Sequence, residues 1–196
     1  MKKFLMIINL LLLTGTSVQA APIVYLDFDN DGLQDTTTSV STGDSLTASL
    51  YITGIDNSFG GLLSWGIQTQ FDNTLLSASS YQIEPQWFLE GVNNKIDNTA
   101  GTVDILASAF TGFTGTLKLA DIIFDTSIDG LAFINLGNIN PDLPNFVGFA
   151  GADGHDYDGE ITFVNATVDI AAVPVPGALF LFISGLVGLI GFKRRK

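Results

Sequence analysis

Between residues 27 and 35 the chain sets Asp27, Asp29, Asp31 and Asp35 around Gly32. Carboxylates at alternate positions can turn their oxygens toward one hard cation, and a glycine allows the loop to bend tightly around it. These four aspartates match positions 1, 3, 5 and 9 of a calcium loop, with Gly32 at position 6. Thr38 stands where such a loop ends on a bidentate glutamate, so the pattern is incomplete. The chemistry expected is calcium binding, which would also relieve repulsion among four crowded carboxylates. The same residues fit a solvated hairpin turning at Asp31-Gly32, with Leu26 and Phe28 directed inward.

A second acidic stretch, residues 153–160, holds Asp153, Asp156 and Asp158 and is the weaker metal candidate; it also reads as a polar loop before the final strand. It carries His155, the chain's one histidine. A nucleophilic triad needs a nucleophile on a sharp turn as well, and no Gly-x-Ser-x-Gly elbow occurs. Twenty acids offer many carboxylate pairs of the kind glycoside hydrolysis uses, but their separation in space is not written in sequence. The absence of cysteine removes thiol catalysis, cysteine zinc sites and disulfides. Among the aromatic residues, Trp65 falls on the apolar phase of its segment and reads as core. Trp87, between Gln86 and Phe88 in an irregular stretch, is the candidate for stacking on a sugar ring.

The elements that must hold these loops have the period of strands. Leu46, Ala48, Leu50 and Ile52 alternate with polar residues, as do Leu63, Trp65, Ile67, Thr69 and Phe71, and Val103, Ile105, Ala107 and Ala109. Residues 117–124, 131–136 and 161–170 are further β-rich runs, separated by Gly, Asn, Asp and Ser clusters. Residues 84–91 are the one stretch of the body that could hold a helical turn. About eight or nine strands, each with one inward face, predict an all-β fold of two antiparallel sheets packed face to face. A closed barrel satisfies the same alternation.

Both termini differ from this body. Residues 1–20 read as a secretory signal peptide: Lys2 and Lys3, an apolar core, then Val18-Gln19-Ala20 at the cleavage point. At the other end Pro174 and Pro176 precede an uncharged apolar run, and the chain stops on Lys193-Arg194-Arg195-Lys196. Prolines mark where a helix can begin, and a basic cluster beside a span stays cytoplasmic. The run predicts a transmembrane helix slightly shorter than the roughly 17–25 residues usual for a bilayer core. All 20 acids lie between these ends and face only Lys95 and Lys118, so the exported body carries −18. Such a surface repels phosphates, which argues against nucleic acid as a partner.

Val173-Pro174-Val175-Pro176-Gly177, the apolar helix with Ser184-Gly185-Leu186 and the basic tail together resemble a PEP-CTERM sorting signal. Here the motif reads Val-Pro-Val-Pro, without glutamate between the prolines. The resemblance implies export in a Gram-negative bacterium and transient anchoring in the inner membrane. An exosortase-type processing enzyme would then cut near the motif and release the body to the cell surface or exopolysaccharide matrix.

Within the body, Val40-Ser41-Thr42-Gly43-Asp44-Ser45-Leu46 is similar to the opening of cohesin-like domains. Residues 67–76, with Phe71-Asp72-Asn73-Thr74-Leu75-Leu76 as an aromatic-Asp-x-x-x-Leu pattern, and residues 115–124 resemble their later segments. That resemblance implies a jelly-roll β-sandwich related to carbohydrate-binding modules, and adhesion to exopolysaccharide or other surface proteins. The functional expectation is an exported, non-catalytic surface protein. Its rivals are a secreted carbohydrate-active enzyme and a permanently anchored periplasmic protein.

Overall fold

The computed structural model of the chain describes residues 21–139 and 148–173. The expected signal peptide at 1–20, the motif residues from Pro174 to Gly177, the apolar run and the basic tail lie outside the described residues. Among the described residues the regular elements are all strands, and no helix is long and apolar enough to cross a membrane. In chain order the strands are β1 (Ile23–Asp27), β2 (Thr37–Ser41), β3 (Ser45–Ile55), β4 (Leu62–Phe71), β5 (Leu76–Ile83), β6 (Leu89–Glu90), β7 (Lys95–Asp97), β8 (Thr102–Phe113), β9 (Gly115–Thr126), β10 (Gly130–Asn138), β11 (Ala150–Gly151), β12 (Thr162–Phe163) and β13 (Ala166–Ala171). Four of them, β6, β7, β11 and β12, have only two or three residues. So short a strand carries no alternation, which is why periodicity counts only the longer ones.

The strands form two open sheets, not a barrel. The smaller runs β12-β1-β3-β9-β5; the larger runs β2-β13-β10-β4-β8-β6, with β11 added to β4 and β7 to β8. Their inward faces share one apolar core, in which Leu50 and Ile52 of β3 and Phe124 of β9 join Trp65, Ile67 and Phe71 of β4. The alternations in β3 and β8 hold as expected: Leu46, Ala48, Leu50 and Ile52 are buried, and so are Val103, Ile105, Ala107 and Ala109. In β4 the phase breaks at one end. The pairing with β8 shifts between Leu62 and Ser64, so Leu62 enters the core and Leu63 does not. Gly61 sits at this corner with φ +79°, and a Cβ on it would come within 2.7 Å of the Phe113 carbonyl oxygen. Only glycine fits so close an approach.

The sheets are not purely antiparallel. β1 pairs with β12 in parallel in the smaller sheet, and β2 pairs with β13 in parallel in the larger one. The first segment therefore leaves one sheet after Asp27 and joins the other at Thr37. The last segment makes the same change beside it, between Phe163 and Ala166. The run expected as one strand over 161–170 is thus two strands in different sheets. At that crossing the Asn165 side chain accepts a hydrogen bond from the Leu136 amide at 2.9 Å, so a polar residue marks the change of sheet.

The far edges are finished by asparagine. Between β6 and β7, the Asn94 side chain accepts from the Leu106 amide (2.7 Å) and donates to the Leu106 carbonyl (3.1 Å), filling a gap in the ladder on β8. Asn98 does the same for Ala78 on β5, at 2.8 and 3.0 Å. Residues 84–91 form a single turn closed by the Trp87 amide on the Glu84 carbonyl, then run into β6. Replacing Asn94 leaves the Leu106 amide unpaired, while the Leu106 carbonyl keeps the Gly91 amide at 2.8 Å. Asn94→Ala is expected to lower unfolding free energy by about 1–2 kcal/mol in urea titrations. Val92→Ala, at a fully exposed neighbour, is expected to change it by less than about 0.5 kcal/mol.

Candidate functional site

The loop that carries the first segment between sheets is the one built on Asp27 to Asp35. It is pinned at its base, where the Asp35 amide donates to the Leu26 carbonyl at 2.8 Å. Asp27 has no exposed surface, and its two oxygens accept from the Asn30 amide (2.6 Å) and the Gly32 amide (2.8 Å). The Asp35 carboxylate accepts from the Phe28 amide at 2.8 Å. These bonds wind the backbone so that Asn30 and Gly32 both take positive φ, +61° and +82°. Asparagine and glycine are the residues that tolerate this region best. The Tyr25 hydroxyl closes the turn by donating to the Gly32 carbonyl at 2.8 Å.

The winding brings one carboxylate oxygen each from Asp27, Asp29 and Asp35 within 4.8 Å of one another. Two oxygens bound to one calcium ion at 2.3–2.6 Å lie at most about 5 Å apart, so the three can serve a single ion. Each carboxylate has about four acceptor positions, and those bonded to amides keep some free. Asp31, expected as a fourth ligand, is not part of this group. Its Oδ1 accepts from the Leu33 amide at 2.8 Å, the bond of a local turn.

Among the described residues no positive charge pairs with the cluster. Lys95 pairs with Asp104, and Lys118 pairs with Asp121 and Glu84. Partial desolvation first, and then the charge of Asp31, push the Asp29 carboxyl above its ordinary value. Burial, followed by Tyr51, Asp27 and Asp31, likewise raises the Tyr25 hydroxyl.

The second acidic stretch does not gather its carboxylates. Asp153 accepts from the His155 amide, Asp156 from the Asp158 amide, and Asp158 from the Phe149 amide. Among the described residues the one acidic group close enough to share an ion is that of Asp27, Asp29 and Asp35. His155 is a packing residue of this loop. Its ring stacks on Phe59, with centroids 3.6 Å apart, and Nε2 lies 3.0 Å from Glu160. Beneath it Tyr157 is fully buried.

Trp87 corrects the expectation of a sugar platform. Only 1% of it is exposed, its ring packs edge-on against Trp65 and Phe113, and its indole N–H donates to the Lys118 carbonyl at 3.0 Å. Neither ring face meets solvent, because the turn at residues 84–87 folds the indole back under β8 and β9. Trp65 is buried as expected. The structure points instead to a hollow of about 120 Å³ on the outer face of the larger sheet, lined by Gln68, Gln70, Asn135 and Gly137 with Leu136 at its floor. Alternating outward amides read as an ordinary solvated face, and nothing in their spacing separates them from one.

No family model matches the sequence, and no curated protein matches it. Solved structures do match over most of the described body. A non-cellulosomal cohesin from the archaeon Archaeoglobus fulgidus has a TM-score of 0.57 at 12% identity, covering 82% of this chain and 97% of that one. The cohesin module of a family 33 glycoside hydrolase from Clostridium perfringens gives 0.56 at 13%, covering 79% and 99%. The third ScaC cohesin of Acetivibrio cellulolyticus, solved in complex with the ScaB dockerin, gives 0.53 at 15%, covering 76% and 99%. At these identities the shared property is the fold: this body is a cohesin-like β-sandwich.

The raised Asp29 carboxyl has a direct consequence for metal-free protein. A carboxyl whose folded-state pKa is raised contributes stability while protonated and loses it as pH rises through that pKa. Asp29→Asn is therefore expected to raise the melting temperature at neutral pH in EDTA, with the difference from the parent protein vanishing at acid pH. A lower melting temperature at pH 7 would show that the Asp29 charge supports the loop.

Proposed function

We propose that this chain is an exported, non-catalytic adhesion module, delivered by its C-terminal segment to the cell surface or matrix and stabilised by calcium at Asp27, Asp29 and Asp35. The observation that carries the adhesion reading is the match of whole cohesin modules to nearly the whole described body, one of them solved with its dockerin bound. A sandwich with no further domain among its described residues presents faces and loops, the means by which a module holds a protein or a polysaccharide. The acidic body favours divalent cations and basic partners over nucleic acid.

The address rests on Val173 to Gly177, the apolar run and the four basic residues at the end. Val173 is 58% exposed just beyond the last strand, so a protease can reach the chain there without opening the sandwich. In this reading an exosortase-type enzyme of the inner membrane cuts at or near the motif. Intact mass spectrometry of the mature protein is expected to give a mass lacking both the signal peptide and the segment after the motif. A mature mass that retains residues 177–196 would leave a permanently anchored protein.

Calcium acts through the crossing loop. An ion that binds only the folded state stabilises it by about 1.4 kcal/mol at ten times its dissociation constant, and extracellular sites commonly bind at about 0.1–1 mM. Millimolar calcium is expected to raise the melting temperature of the full chain, EDTA to reverse the rise, and Asp29→Asn or Asp35→Asn to blunt it. An unchanged melting temperature in calcium and in EDTA removes the metal from this reading.

A further inference from the structure

The outer face of the larger sheet carries a polar row that the fold itself has no use for. On β10, Phe133, Asn135 and Gly137 point outward in turn; β4 sets Gln70 opposite Asn135 and Gln68 opposite Gly137. Next across, β8 sets Thr102 opposite Gln70 and Asp104 opposite Gln68. From β10 to β8 is two strand spacings, about 10 Å.

Two features separate this row from a plain solvated face. Gln68 is fixed, donating through Nε2 to Asp104 at 2.9 Å, while Lys95 lies 3.5 Å from the other Asp104 oxygen. Gln70 and Asn135, by contrast, have side-chain amides with no partner among the described residues. Second, the row has a floor. A Cβ on Gly137 would meet nothing within 4 Å, and the space above it is the hollow of about 120 Å³ between these amides. Phe133, 42% exposed and one outward position from Asn135 on the same strand, supplies an apolar surface at its rim.

The chemistry of the row selects its occupant. An amide offers both a donor and an acceptor, the same pair that a sugar hydroxyl offers in return. The carboxylate nearest the hollow is already matched by Lys95 and Gln68, so this part of a body at −18 is locally neutral. Anionic polymers are repelled by the body as a whole, and a basic protein finds no free charge here. The hollow is far smaller than the roughly 300–1,000 Å³ that encloses a small ligand. It suits one ring of a chain lying across the surface.

We propose that this face binds a neutral polysaccharide, one sugar ring seated over Gly137 beside Gln70 and Asn135 and another ring of the same polymer packed on Phe133. This names the ligand of the adhesion reading and rests on it. The test uses the full chain in detergent. Gel electrophoresis is run through hydroxyethylcellulose, galactomannan, xyloglucan, dextran and alginate, with polylysine binding measured separately. Retardation by at least one neutral polymer is expected, and none by alginate. Gln70→Ala and Asn135→Ala should each weaken it about threefold to tenfold, and Phe133→Ala at least as much, with melting temperatures unchanged because all three side chains are at the surface. Titration of labelled protein with an oligosaccharide of the retarding polymer should shift the side-chain amide resonances of Gln70 and Asn135.

Absence of retardation in every neutral gel overturns the proposal, and so does retardation that survives the double variant Gln70→Ala/Asn135→Ala. Loss of polylysine binding in that variant, with no glycan effect, would make the face a protein site and overturns it too. If parent and double variant adhere equally to cells, adhesion stands and this site falls. If neither adheres, the adhesion reading fails by itself.

Discussion

In this sandwich the two ends of the body hold each other: the first segment and the last cross between the sheets side by side, paired in parallel on both. Ile23 and Val24 of β1 take Thr162 and Phe163 of β12 as partners, and after the crossing Thr37 to Ser41 of β2 take Thr167 to Ala171 of β13. With no cysteine in the chain, these ladders and the shared core do what a covalent staple does in many exported domains. The turn on Asp27 is the hinge pin of that arrangement. If it unwound, β1 and β2 would lose their fixed offset, and the partners of β12 and β13 would go with them.

The acidity of the body has a local explanation before it has a global one. Asp27, Asp35, Asp72, Asp97, Asp153, Asp156 and Asp158 all accept hydrogen bonds from backbone amides in turns or loops. Asp27, Asp72, Asp97, Asp153 and Asp156 do so because a short side chain reaches an amide two or three residues on; Asp35 and Asp158 close their loops on the more distant Phe28 and Phe149 amides. The thirteen strands of the described residues need many turns, and many of these turns are made with carboxylates. Charge accumulates as a by-product, and at Asp27, Asp29 and Asp35 it concentrates enough to ask for a cation.

The parts legible in the sequence were those with a period. Alternation located β3, β4 and β8 with most of the core, and the crowded aspartates located the crossing loop; β5 escaped, its alternation broken where Ser79 and Ser80 are both exposed. What escaped had no period. The crossing at Val164 and Asn165 hides inside a continuous β-rich run, because a change of sheet alters partners without altering composition. Trp87 looked exposed beside Gln86, yet one turn was enough to bury it. Leu62 and Leu63 exchanged roles through a three-residue slip in the pairing with β8 between Leu62 and Ser64, and an odd slip reverses which way a side chain faces. The hollow over Gly137 was invisible because it is assembled across strands far apart in the chain, from residue types that any wet surface would use.

The same pairing sets how the body bears load. β13 leads out to Val173, and it is paired over five residues with β10 on one side and over five with β2 on the other. A pull on the C-terminal segment runs along β13, so both ladders lie across the force and are sheared together, not peeled one bond at a time. A module held at that end would strain as a block, and its outer face would stay flat under tension.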